Sequence, residues 1–345
     1  MKDDKPTSFD IAYKAGVSQA TVSRALRDSP LVSQETRDKV KAVAAELNYK
    51  VDKNARNLRS QKTRTIALLL CEDPGTGDSL INPFFLSMLS NIIRAAAKRG
   101  YDVLISFQQL SDDWQAEYEN ANRADGIIFL GYGDYITYSA KAEKWVEANA
   151  HFITWGPVLP GQPGHSIGCD NVLGGYDAAR HLLKLGHRRI AFVGDISEHC
   201  PEFHQRYLGF VKAMNEAKLE VDISLQVPAI ASEEDGYRAM QLLLEGGKPL
   251  DAVFGASDSI AIGAIKALRD GGVQVPKDVS VIGFDDIPAA SYTNPPLTTV
   301  HQNTSLAGEM LVENLLKLIE GEAVESMLLP ARLIVRDSCG EEHKP

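Results

Sequence analysis

Between Ser8 and Leu47 the apolar residues fall into three short runs at helical spacing. Ile11, Ala12 and Ala15 form the first, Val22, Ala25 and Leu26 the second, and Val40, Val43, Ala44 and Leu47 the third. Each gives one apolar stripe, so three amphipathic helices are predicted. Gly16 ends the first, because glycine accepts the left-handed cap conformation at little cost. Ser18 is placed to cap the second helix. Ser33 begins the third, with Glu35 near the positive end of its dipole. Beyond Arg64 the pattern changes to short apolar runs alternating with helical ones. Strands are predicted at Thr65–Leu70, Asp102–Phe107, Gly126–Leu130 and Phe152–Trp155, then at Arg189–Val193, Ala252–Gly255 and Val279–Phe284. Helices are predicted near Phe84–Lys98, Lys141–Ala148, Leu173–Lys184, Phe203–Ala217, Glu233–Leu244, Ser259–Arg269 and Leu306–Ile319. Such alternation calls for mainly parallel sheets covered by helices on both faces. Two sets of this kind predict two lobes with a cleft between them, a common place for a small ligand.

The chain has 345 residues, 44% of them hydrophobic and 24% charged, which suits a globular protein of two or three domains. The longest strongly apolar run, Ile66 to Cys71, is strand-sized and far short of the ~20 residues of a membrane helix. The first 25 residues lack an apolar signal core, so a cytoplasmic protein with no membrane partner is expected. Cys71, Cys169, Cys200 and Cys339 are widely spaced and show no C-x-x-C pattern. They predict neither a metal ribbon nor a disulfide framework. No metal and no cofactor is expected.

The net charge of −10 is unevenly placed. Residues 1–64 carry 14 Lys and Arg against 8 Asp and Glu, a surplus of 6, while the remainder is strongly acidic. A basic module on an acidic body points to a polyanion as its partner. The two short helices joined at Gly16 make a helix-turn-helix, whose second helix can enter the major groove of double-stranded DNA. Its outward residues are Gln19, Ala20, Thr21, Ser23 and Arg24. Gln suits adenine, Arg suits guanine, and Ala offers a methyl contact to thymine. Ser18, Thr21 and Ser23 suit phosphates, which fix register without reading sequence. Residues 52–58 are enough for one or two helical turns, too few to stand alone.

This part of the sequence closely resembles the LacI/GalR family of bacterial transcription regulators. The resemblance rests on D-I-A-x-x-A-G-V-S-x-x-T-V-S-R from Asp10 to Arg24, V-S-x-E-T-R from Val32 to Arg37, L-N-Y at 47–49 and A-R-N-L at 55–58. It continues through N-P-F-F at 82–85, D-N-x-x-G-G at 170–175, H-L-L-K-L-G-H-R-R-I-A at 181–191, G-F-D-D at 283–286 and P-P-L-T-T-V at 295–300. It implies that Gln19, Ala20 and Arg24 face bases. It also implies that Ala55 and Leu58 lie in a hinge helix at the minor groove, where a leucine wedge can kink the duplex. Val51 stands where the family commonly has proline.

The implied fold class is α/β: an all-helical helix-turn-helix headpiece and a periplasmic-binding-protein-like core of two doubly wound parallel-sheet lobes. The expected division is 1–51 for the DNA-binding domain and 52–63 for the hinge and linker. The N-terminal lobe is then 64–169 with 299–325, and the C-terminal lobe 170–298 with 326–340. Crossings between lobes are expected near 169, 298 and 325. An insertion, P-G-T-G-D-S-L at 74–80, is expected to lengthen a loop at the cleft mouth. The resemblance places Phe84, Phe85, Trp155, Arg206 and Asp285 at the cleft. Aromatic faces, a forked guanidinium and a carboxylate would suit a sugar. Cys200, Pro201 and Glu202 replace the polar anchors of purine-responsive relatives, which disfavours a purine. Asp258 reads as a helix cap.

The implied function is a homodimeric repressor of carbohydrate uptake or catabolism genes, released from a pseudo-palindromic operator by a sugar. A solute-binding protein for uptake and a co-repressed regulator are the alternatives. An enzyme is not expected. G-T-G at 75–77 and G-Y-G at 131–133 lack the third glycine of a dinucleotide motif. Asp285 and Asp286 are adjacent on a strand and so point to opposite faces, unlike an acid–base pair. The tail after Arg336 has no leucine heptad, so a dimer rather than a coiled-coil tetramer is expected.

Overall fold

The computed structural model describes residues 6–49, 62–70, 82–107, 116–131 and 134–340. Val51, Ala55, Leu58 and the insertion at 74–80 therefore lie outside the described residues. The chain divides into two compact units, Met1–Thr63 and Arg64–Pro345.

The first unit contains α1 (Ser8–Ala15), α2 (Gln19–Ala25) and α3 (Gln34–Glu46). The Thr7 backbone N–H and hydroxyl both donate to Asp10 Oδ2 at 2.7 Å, holding the first turn of α1. Gly16, at φ 68°, ends α1 as the sequence predicts. Ile11, Ala15, Val22, Ala25 and Val40 have no exposed surface and form the core of this small module. Ala12, Leu26, Val43 and Leu47 pack around them, so the three predicted stripes meet in one place.

The second unit holds two six-stranded sheets. The N-terminal one comprises β1 (Thr65–Leu70), β2 (Asp102–Phe107), β3 (Gly126–Leu130), β4 (Phe152–Trp155), β5 (Ser166–Cys169) and β11 (Met327–Leu329). Its order is β11-β5-β4-β3-β1-β2 and every pairing is parallel. The C-terminal sheet comprises β6 (Ile190–Val193), β7 (Gln226–Val227), β8 (Ala252–Gly255), β9 (Ser280–Asp285), β10 (Thr298–Gln302) and β12 (Ala331–Ile334). Its order is β12-β10-β9-β8-β6-β7, with only β12 running antiparallel to its neighbour. Helices α4 (Pro83–Lys98), α5 (Tyr135–Glu147), α6 (Asn171–Lys184), α7 (Pro201–Glu216), α8 (Glu233–Glu245), α9 (Asp258–Asp270) and α10 (Thr304–Ile319) complete the unit. The central strands β3, β8 and β9 are buried along their whole length, as in parallel sheets layered between helices.

The chain leaves the N-terminal sheet after Cys169, and the other two crossings fall a few residues beyond 298 and 325, after Gln302 and Leu329. Thr298–His301 continue the ladder with Ile282–Asp285, which keeps them in the C-terminal sheet. Met327–Leu329 pair with Ile167–Cys169, which keeps them in the N-terminal one. The final switch comes at Pro330, which has no N–H to extend a ladder. Strands of two to five residues such as β5, β7, β10, β11 and β12 carry too little alternation to be read from sequence.

Close contact between α6 and α7 sets up the cleft. A Cβ on Gly175 would lie 2.1 Å from the Arg206 carbonyl oxygen, and one on Gly209 would lie 2.1 Å from that of Val172. Only glycine allows the two backbones this near. The approach delivers Arg206 to the start of α6.

Candidate DNA-reading helix and effector cleft

α2 is held as a separate recognition element by its cap: Ser18 Oγ accepts from the Thr21 backbone N–H at 3.1 Å. The hydroxyls of Ser18 and Thr21 are also hydrogen-bonded, at 2.9 Å. Ala20 and Arg24 are exposed, while Gln19, Thr21 and Ser23 are half-buried. Gln19 Nε2 donates to Ser8 Oγ at 2.8 Å, which ties that side chain to α1. Arg27 Nη2 donates to Ser23 Oγ at 3.1 Å and its Nε to the Ser23 carbonyl at 3.0 Å. Of the predicted readers, Ala20 and Arg24 thus stand open, while Ser18, Gln19, Thr21 and Ser23 also have structural partners.

In the core unit, Arg206 and Asp285 are brought together although 79 residues separate 206 from 285. Arg206 Nη1 lies 3.5 Å from Asp285 Oδ1, and both side chains are 1% exposed. Arg206 Nε donates to Asn171 Oδ1 at 2.9 Å and its Nη1 to the Ala256 carbonyl at 2.5 Å. Its guanidinium carbon sits 3.8 Å over the Phe284 ring. On the other side, Gln302 Nε2 donates to Asp285 Oδ1 at 2.7 Å. Asp285 and Asp286 adopt φ of 120° and 57°, a region that non-glycine residues rarely enter. That bend sends the two carboxylates to different partners. Asp286 takes Arg336 at 2.6 Å and His301 at 3.0 Å. Burial acts to raise its pKa, but these two hydrogen bonds outweigh it and leave the group below the usual range.

Asp258 is not the cap that the sequence suggests, for Ser257 Oγ accepts from the Ile260 N–H. Asp258 instead accepts from Thr299 Oγ1 at 2.5 Å and from the Ile287 N–H at 2.8 Å, pinning the turn that follows β9. Burial and the neighbouring Asp285 push its carboxyl well above the ordinary carboxylate range.

The aromatic residues cluster as well. Phe84 meets Phe85 edge-on at 5.3 Å and Trp155 at 6.1 Å, and all three are largely buried. A cavity of about 340 Å³ lies beside Phe84, Asp285, His301, Gln302 and Arg336. A second, much smaller space of about 20 Å³, room for a single water, borders Trp155, Tyr135, Tyr138, Gln162, Ser166 and Glu202. The sequence did not single out Asn171, Gln302, Gln162 or Tyr135 as site residues. Glu202 had a legible signal, because it lies one helical turn before Arg206. Gln162 had none, since it comes from an irregular loop.

The N-cap of α5 and the segment before α7 also meet across the two sheets' territories. The Tyr135 N–H donates to the His199 carbonyl at 3.1 Å, and His199 Nδ1 lies 2.8 Å from Asp134 Oδ1. The hydrogen bond to Asp134 raises the His199 pKa. Among the described residues Cys169 and Cys339 carry free thiols, and no His, Cys, Asp and Glu cluster could hold a metal ion. Burial pushes the Cys169 thiol up to about 12, so it is held as the unreactive protonated thiol. No described helix is long and apolar enough to cross a membrane.

Residues 9–52 match the family model described as bacterial regulatory proteins, lacI family. Residues 179–339 match the model of a periplasmic binding protein-like domain. The chain is 33% identical to the HTH-type transcriptional regulator RegA of Clostridium saccharobutylicum over 336 residues, covering 95% of this chain and 98% of that protein. Among solved structures it is similar to a transcriptional regulator CelR–cellobiose complex, with TM-score 0.71 and 30% identity over 96% of this chain and 99% of the other. It is also similar to a lac repressor dimer bound to operator and the anti-inducer ONPF, with TM-score 0.82 and 28% identity over 98% and 100% of the two chains.

Proposed function

The chain belongs to the lacI family of bacterial regulatory proteins, and on that premise we propose a dimeric transcriptional repressor that releases its operator when a sugar occupies the cleft. It is a sequence-specific DNA-binding regulator and not an enzyme. The observation that carries the reading is the pairing of two devices in one chain. One is a capped helix that presents Ala20 and Arg24 to the outside. The other is a core in which Asp285 of the buried Arg206–Asp285 pair and Phe84 of the aromatic cluster line a cavity of about 340 Å³. In this reading Gln19, Ala20 and Arg24 read bases, and Ser18, Thr21 and Ser23 hold phosphates. Ala55 and Leu58 supply the minor-groove wedge. Phe84, Phe85, Trp155, Arg206 and Asp285 hold the effector. A protein with these tasks works in the cytoplasm.

Release requires the sugar to bind the DNA-incompetent state more tightly, because equal affinity for both states shifts nothing. A two-fold symmetric dimer requires a pseudo-palindromic operator. The test is fluorescence anisotropy on DNA from the gene's own upstream region at fixed salt, which must be fixed because phosphate contacts make affinity salt-dependent. D-Ribose, D-glucose, D-galactose and cellobiose are added in turn. Binding relieved by one sugar supports the repressor reading. Binding strengthened by a sugar makes it a co-repressed regulator, and indifference to operator sequence refutes base reading by α2.

A further inference from the structure

Asp134 and His199 join the two lobes of the core. His199 Nδ1 lies 2.8 Å from Asp134 Oδ1, and the Tyr135 N–H donates to the His199 carbonyl at 3.1 Å. Asp134 opens α5, between β3 and β4 of the N-terminal lobe, while His199 lies between β6 and α7 of the C-terminal one. Both ends are set in place before they meet. Asp134 caps α5, accepting from the Ile136 N–H at 3.1 Å and from Thr137 Oγ1 at 2.7 Å. The turn that carries His199 is held by the Ser197 N–H on Asp195 Oδ1 at 2.8 Å and by the Cys200 N–H on the Ser197 carbonyl at 3.2 Å. An exposed ion pair gains little when two long side chains must be ordered to make it. Here the side chains are short and their backbones already fixed.

The place of this contact matters as much. The chain crosses between lobes after β5, β10 and β11. These strands and β12 fill the first two positions at one end of the two sheets. β3 and β6 lie further along, towards β2 and β7, so opening the lobes about the crossings separates Asp134 from His199. The cavity beside Phe84 is lined by Phe84, Ser87 and Thr304 of one lobe and by Asp285, Ile287 and Arg336 of the other. Its walls part in the same motion.

We propose that Asp134 and His199 are a proton-dependent clasp that holds the lobes closed over a bound effector. Retention of the effector rests on the reading of the core as a sugar-gated cleft, whereas the closure itself does not. A carboxylate can only accept, so the shared imidazole proton sits on Nδ1. Protonating the ring makes that hydrogen bond charge-assisted and stronger. Burial acts to raise the Asp134 pKa, but the hydrogen bonds from His199 and Thr137 outweigh it and keep the group below the usual range. The same hydrogen bond raises the His199 pKa. The charged groups facing His199 are the carboxylates of Asp134, Asp195 and Glu198, and all three favour its proton. The clasp is therefore strongest at low pH and loosens as pH rises through the raised His199 value. Glu202, in the first turn of α7, is pushed up to about 7 by burial. It titrates whether or not His199 is present, so a comparison of parent with variant removes it.

The test uses the full chain with carbon-13-labelled histidine, the His199 signal being identified by its loss in His199→Ala. Asp134→Asn keeps a good helix cap and should lower the pH midpoint of that signal. An unchanged midpoint would mean that the lobes are not clasped in solution, and overturns the proposal. Sugar binding is then measured by calorimetry with D-ribose, D-glucose, D-galactose and cellobiose at pH 6 and pH 8. At pH 6 each single variant should bind the effector about two- to fivefold more weakly, the range expected of an exposed ion pair. The double variant should bind no more weakly than His199→Ala, and the gap between parent and His199→Ala should narrow at pH 8. Variants that match the parent at pH 6, additive losses in the double variant, or a gap that widens with pH would each overturn the clasp. If no sugar binds the parent, the sugar reading fails while the histidine titration still decides the closure.

Discussion

Removing either member of the Arg206–Asp285 pair should be far more harmful than removing both. At 3.5 Å and an effective dielectric constant near 20, the attraction between unit charges is about 5 kcal/mol. Both side chains are almost wholly buried, so each has lost its hydration and depends on the other. Asp285→Asn leaves the guanidinium with Asn171 and the Ala256 carbonyl but without its counter-charge. Arg206→Met removes the counter-charge of the Asp285 carboxylate and keeps its hydrogen bond from Gln302. Breaking a buried pair from one side costs about 3–5 kcal/mol. The double variant removes both charges and should cost several kcal/mol less than the sum of the single changes. Urea unfolding of the four proteins gives the coupling directly. A coupling below about 0.5 kcal/mol, within the scatter of independent sites, would show that the pair is not an energetic unit. All three variants should lose the sugar response, because both groups belong to the proposed effector site.

Arg24 is exposed on α2 and has no partner among the described residues, so Arg24→Ala should leave folding unchanged. It should weaken specific operator binding by about 1–3 kcal/mol and relax preference at one base position; unchanged selectivity would mean a phosphate contact. Gly175→Ala puts a methyl group against the Arg206 carbonyl, so it should force α6 and α7 apart and destabilise the core by about 1–3 kcal/mol. Thermal unfolding and sugar titration would both register it. Glu202 has a folded pKa raised from 4.5 to about 7, so its neutral form favours the fold and that contribution disappears as pH rises through 7. A shift of that size corresponds to about 3 kcal/mol. Relative to Glu202→Gln, the parent should lose up to this much stability between pH 4.5 and 8, and parallel stability curves would refute the burial of this carboxyl.

The three headpiece helices were legible because a helix that must cover a tiny core shows its stripe directly. Ile11, Ala15, Val22, Ala25 and Val40 are the residues on which the observed core closes. Gly16 and Ser18 mark the turn because each solves a local backbone problem that only a few residue types can solve. Clusters of apolar residues between polar flanks likewise marked the bounds of β1 to β4 and β8. Motif similarity also brought Arg206, Asp285, Phe84 and Trp155 to one region.

Tertiary structure decided what depends on partners far away in the chain. Residues 299–302 and 327–329 belong to the sheets that offer them a ladder, and nothing in their own short patterns names that sheet. Arg206 and Asp285 become an ion pair because glycines at 175 and 209 let two helices touch. The turn after β9 gives Asp285 and Asp286 different partners, Arg206 and Gln302 for one and Arg336 and His301 for the other. Glu202 and Gln162 are ordinary polar residues by sequence. Only the folded structure shows that the Glu202 carboxyl and the Gln162 Nε2 are buried beside the same space. Local propensity acts over a few residues and can be read from them, whereas desolvation is a property of everything folded around a group.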